Sequence, residues 1–217
     1  MSLPASRNDP LLDWPGAEQM KYALKWMALV GVLFALVFGG AEWVTAHRER
    51  KLHLFWPFER DIPLWPAWMV VYNSIYVLFL SAPWAVRTKE SFRRLALSCV
   101  AIILVSGIIF LLLPAELGFP PREVAGPFRA LFRFSDQVNL DFNLLPSLHV
   151  GLGILCLHAY ARERSLWMKL LAVAWGVALS ASTVLTHQHH LPDILAAGLL
   201  AGIIVFAAYK NRGQFSI

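Results

Sequence analysis

Two stretches of this chain, Ile62 to Val86 and Leu95 to Ala115, contain no Asp, Glu, Lys or Arg. Uncharged apolar runs of that length have one stable home: a helix that satisfies its own backbone while its side chains meet hydrocarbon. Four more apolar runs extend from about Tyr22 to Val44, Ser147 to Ala161, Trp167 to Thr186 and Leu191 to Tyr209. The reading is therefore an all-α polytopic membrane protein of about six transmembrane helices, one domain over residues 1–217. Composition agrees, with 58% hydrophobic and 15% charged residues, where a soluble domain would carry more charge.

The connections have characters of their own. The first twenty residues are polar, with Leu11, Leu12 and Trp14 as apolar members, and read as a cytoplasmic tail or a short interfacial helix. Arg7, Asp9, Asp13 and Glu18 are wrong for a secretory signal peptide. The longest connection, residues 116–146, contains Pro120, Pro121 and Pro127 and is expected to be an extracytoplasmic loop. Within it Phe128, Leu131 and Phe132 have helical spacing beside Arg129 and Arg133, which predicts an amphipathic helix lying on the bilayer.

Inside the spans, Asn73 is expected to make an interhelical hydrogen bond. Gly198 and Gly202 have the small-xxx-small spacing that predicts tight helix packing and allows a homo-oligomer. Cys99 and Cys156 both fall in apolar runs, so no disulfide framework is expected.

The net charge of +5 is that of loop Lys and Arg flanking membrane spans, and no nucleic-acid partner is expected. Twelve of the 19 Lys and Arg fall on the side of the termini and seven on the other. That asymmetry predicts a cell (inner) membrane protein with cytoplasmic termini and an extracytoplasmic active site.

Chemistry is concentrated in residues 144–209. Ionisable groups at the edge of an apolar run are expensive and mark function. His189 and Asp193 are four apart, so a helix beginning there sets them on one face. A carboxylate fixes an imidazole's tautomer and raises its basicity, which suits a nucleophile or a general base. His149 follows Pro146 and Ser147 at another helix start, where backbone N–H groups and a hydroxyl make an anion site and the imidazole can act as an acid. Ser147 has a purely structural role open to it as well, that of an N-cap. His187, His189, His190 and His149 also allow a zinc reading, although neighbouring helical positions do not face one way. A non-catalytic transporter or scaffold is a third class, against which His149, His189 and Asp193 stand as residues that packing alone does not need.

Pro146-Ser147-Leu148-His149 resembles the P-S-x-H signature of the type-2 phosphatidic acid phosphatase superfamily, which includes vanadium haloperoxidases. Ser182 through Asp193 resembles that family's third signature, S-R-x5-H-x3-D. The resemblance implies a six-helix membrane core and a phosphatase needing neither metal nor cofactor. His189 would form a phosphohistidine, Asp193 would orient it, His149 would protonate the leaving oxygen and Ser147 would bind phosphate. The substrate would be a lipid phosphate.

Two departures bear on binding. No K-x6-R-P signature precedes Pro146, and Thr183 stands where the third signature has Arg. Arg122, Arg129 and Arg133 in the long loop are the candidate replacements for these phosphate-binding cations. The pattern is also similar to sphingomyelin and inositol-phosphorylceramide synthases, which would imply transfer of a phospho-headgroup between lipids.

Overall fold

The computed structural model describes residues 14–138 and 142–210. Seven α-helices are present among them: α1 (Ala17–Ala46), α2 (Met69–Ala85), α3 (Lys89–Leu112), α4 (Arg129–Val138), α5 (Leu148–Ala161), α6 (Leu166–Leu185) and α7 (Leu191–Tyr209). The tail residues Leu11 and Leu12 lie outside the described residues, as does Arg212.

Five helices, α1, α2 (with the turn from Pro66), α3, α6 and α7, are long and apolar enough to cross a membrane. The sixth predicted span, α5, has only 14 residues, about 21 Å at the helical rise, and so falls short of a hydrocarbon core of about 30 Å. Pro146 and Ser147 fix its start, and the turn around Arg162 ends it. This short helix is the centre of the bundle: α2, α3, α6 and α7 all pack on it, and Leu148, Leu152, Leu155 and Cys156 are buried in the main core. The outward faces are equally apolar, with Leu170, Val173, Leu195, Leu199 and Phe206 all exposed. Such a surface suits hydrocarbon as its solvent.

Close helix approach occurs where a Cβ has no room. Gly107 on α3 abuts Val37 of α1, Gly151 on α5 abuts Ile102, and Gly153 abuts Leu179 of α6. Gly198 and Gly202 are not among these contacts. A Cβ at either meets nothing within 4 Å, so their spacing marks no helix packing within the bundle. Asn73 does bond outside its own helix, accepting from Ser135 Oγ of α4 at 3.2 Å.

Helix α4 also departs from expectation. Its apolar edge packs on the protein as well, with Phe132 buried against Met69 and Tyr72 of α2. The protein itself satisfies that face, and the long loop is thereby folded over the end of the bundle. A backbone bridge between Leu52 and Ala115 ties the loop to the α1–α2 connection.

Candidate active site

Helix α6 ends in a turn made from its own last carbonyls. Thr183 O accepts from Gln188 N at 2.8 Å and from His189 N at 3.1 Å, and His187 takes φ 56 to close the reversal. Five residues, 186–190, then reach α7, whose first turn contains Pro192, where a missing N–H is harmless. Asp193 caps that helix: its Oδ2 accepts from His190 N at 2.8 Å and meets His189 Nδ1 at 3.3 Å. The expected His189–Asp193 pair is thus present, but not on a shared helical face. The helix begins only at Leu191, and His189 reaches Asp193 because the turn folds back over the capping carboxylate.

His149 lies in the first turn of α5. Its ring stacks on Tyr72, with centroids 3.9 Å apart, and its Nε2 is buried without a hydrogen-bond partner among the described residues. Ser147 is the N-cap, accepting from Val150 N at 3.3 Å, and its own N–H donates to Asp193 O at 3.1 Å. The beginnings of α5 and α7 are therefore joined, and His149 and His189 line one cleft. With Nδ1 of His189 turned to Asp193, its Nε2 is the nitrogen left for a substrate.

The three arginines are not equivalent. Arg122 Nη1 donates to His187 O at 2.7 Å, two residues from His189, and its other amino group pairs with Asp136. Gln188 Nε2 donates to the same Asp136 oxygen at 3.1 Å. Arg129 and Arg133 are exposed and line a second cleft with Arg122 and Asp136, which none of His149, His189 and Asp193 lines. Thr183 is fully buried, its hydroxyl bonded to Ser180 O at 2.8 Å.

Behind the catalytic candidates stands a layer that sequence reasoning did not find. Glu59, in the 3-10 turn Pro57–Asp61, is 0% exposed. Its Oε2 accepts from Leu191 N at 2.7 Å and from His190 Nδ1 at 3.1 Å, while Oε1 accepts from Trp56 N at 2.8 Å. His190 Nε2 in turn accepts from Gly118 N at 2.9 Å, which fixes the neutral tautomer with its proton on Nδ1. Phe55, His190, Phe119 and His187 form a run of stacked rings, with successive centroids 4.7, 4.3 and 4.1 Å apart. Gly118 is required beneath them, since a Cβ there would strike the Phe55 ring.

His187 Nε2 is 2.9 Å from Ile62 O. Burial holds both His187 and His190 below the ordinary imidazole value, and for His190 it outweighs the opposing pull of Asp193 and Glu59. His187, His189 and His190 thus serve three different partners, and among the described residues no three His, Cys, Asp or Glu side chains converge as a metal site needs.

The family profile described as the PAP2 superfamily matches residues 43–207, from the end of α1 through almost all of α7. No curated protein and no solved structure matches the chain. That superfamily comprises phosphatases and related phosphotransferases, which supports an enzyme acting on lipid phosphates. By a match over three quarters of its length, the chain belongs to the type-2 phosphatidic acid phosphatase (PAP2) superfamily.

Proposed function

We propose that the protein hydrolyses the phosphate ester of a membrane lipid through a phosphohistidine on His189. The observation that carries this reading is the His189–Asp193 pair set beside His149 at one end of an otherwise apolar cleft. His189 Nε2 attacks phosphorus in line, and the bond from phosphorus to the lipid oxygen breaks. His149 gives its proton to that leaving oxygen. Water then attacks the phosphohistidine, returns a proton to His149, and the P–N bond breaks to release phosphate. Asp193 stabilises the positive ring of the intermediate, and the first-turn N–H groups of Leu148 and His149 take phosphate oxygens.

Alkaline quenching of the protein during turnover of a radiolabelled lipid phosphate tests this mechanism. Base-stable, acid-labile label is expected on the wild type and none on His189→Gln. Steady turnover with no trapped label on either protein would exclude the covalent route.

One observation favours a second reading, transfer of a phospho-headgroup to a second lipid. Arg122, the arginine tied to the catalytic turn, is already neutralised by Asp136. A phosphodiester carries one charge fewer than a monoester and needs less cationic support. Headgroup exchange exceeding phosphate release on a mixed lipid panel would select this reading. We place the site on the extracytoplasmic side, on the strength of the Lys and Arg asymmetry.

A further inference from the structure

A cleft of about 300 Å³ leaves His149 and His189 and runs between α1, α2, α3 and α5. Its polar lining is slight, with Asn143 and Tyr76 beside the two histidines; most of the rest is apolar, including Trp26, Val30 and Phe34 of α1 and Phe92 and Ile103 of α3. It extends from Phe38 to Trp26 along α1 and from Ile103 to Phe92 along α3, about 16–18 Å at the helical rise.

Helix α1 is the unusual wall. It lies almost wholly ahead of residue 43, where the superfamily match begins. It packs chiefly on α3 and makes little contact with α2, which leaves the α1–α2 side the less tightly closed flank of the cleft. At Gly107 the α1–α3 contact is too close for a Cβ, whereas at Gly31, on the cleft lining, a Cβ meets nothing within 4 Å.

We propose that this cleft holds one hydrocarbon chain of the lipid whose phosphate meets His189, with α1 as the wall that selects the chain. The proposal rests on the phosphate reading of His149 and His189 given above. A chain sliding in from the bilayer changes one apolar environment for another, so little free energy comes from transfer and selection rests on shape. The length suits a single chain of about a dozen carbons, and the volume leaves no place for a second beside it.

Dodecyl phosphate with a terminal diazirine tests the site directly, because photolabelling does not require turnover. Label is expected on α1 between Trp26 and Phe34 and on α3 between Phe92 and Cys99, and it should be competed by unlabelled dodecyl phosphate. Label confined to outward residues such as Leu170 and Val173 would overturn the proposal.

The variant Gly31→Trp fills the cleft from a position that has room for it. It is expected to lower turnover of dodecyl phosphate at least tenfold while leaving water-soluble butyl phosphate within about twofold of wild type. Equal losses on both substrates would also overturn the proposal. If the wild type hydrolyses neither substrate but α1 and α3 are still labelled, the cleft stands and the phosphatase reading falls.

Discussion

Glu59 and His190, 131 residues apart in sequence, meet as a buried carboxylate–imidazole pair with Oε2 3.1 Å from Nδ1. The same oxygen takes Leu191 N at the first residue of α7. Neither residue points to the cleft that His149 and His189 line. Their role is to position: they hold the turn from which His189 and Asp193 project.

Glu59→Gln is the direct test of that role. It puts an amide where three donors converge, and leaving buried partners unsatisfied costs about 1–3 kcal/mol. The thermal midpoint and kcat/KM should both fall, with kcat/KM down about tenfold or more. A variant with wild-type values of both would show that α7 is held by other groups.

Asp193→Asn separates orientation from packing. An amide matches the carboxylate in shape but cannot stabilise the imidazolium, so kcat should fall by about 10² to 10⁴. His187→Gly, by contrast, replaces a side chain in the left-handed region with the residue that adopts it most easily, and should retain activity within about tenfold. Parallel kcat measurements check both, and a more active Asp193→Asn than His187→Gly would reverse the assigned roles.

The arginines should divide by position. Arg122→Ala removes a cation bonded to the catalytic turn and is expected to reduce kcat/KM at least tenfold. Arg129→Ala and Arg133→Ala, at exposed positions, should each cost under about threefold. Asp136→Asn frees Arg122 of its counter-charge and should lower KM for a monoester relative to a diester. An unchanged KM ratio would mean that Arg122 does not face the phosphate.

Acid should loosen the site. His190 accepts from Gly118 only while neutral, and burial holds it below its ordinary value. The unfolded chain therefore binds a proton that the folded chain refuses. Stability from this group is full above about pH 6.5 and declines as pH falls through that value. His187, likewise held down by burial, contributes with the same sign. The thermal midpoint should drop between about pH 7.5 and 5.5, and His190→Gln should flatten that slope. An equal slope in wild type and variant would remove His190 as the cause.

Sidedness has its own test. A cysteine at exposed His53 should react with an impermeant maleimide added to intact cells, and one at exposed Lys89 should not. The native Cys99 and Cys156 are buried and give little background. Reversed labelling would put His149, His189 and Asp193 on the cytoplasmic side.

The spans and the three central catalytic candidates were legible because each has a local signature. An uncharged run reports a helix, and Pro-Ser-x-His or His-x3-Asp reports a helix start bearing a titratable group. Glu59 has no such signature. It is one acid in a polar connection, and its meaning arises only when the chain brings that connection against α7. Even the local clue, a carboxylate accepting from Trp56 N three residues back, reads as capping of a short turn. Gly198 and Gly202 fail in the opposite sense. Their spacing is that of a packing motif, but which face of α7 meets a neighbour is decided by the rest of the bundle. The placement of Arg129 and Arg133 on a second cleft was not legible for the same reason, since the packing of Phe132 on α2 sets which way the helix faces.

The hydrogen bond from Ser147 N to Asp193 O joins the helix bearing His149 to the helix bearing the carboxylate that meets His189. Both atoms belong to the main chain, so no side-chain replacement other than proline at 147 deletes the link. An alanine scan of every position would leave it intact and assign it no value. The spacing of His149 and His189 is thus protected from point mutation at that joint, whereas the side-chain link from Glu59 to His190 beside it has no such protection.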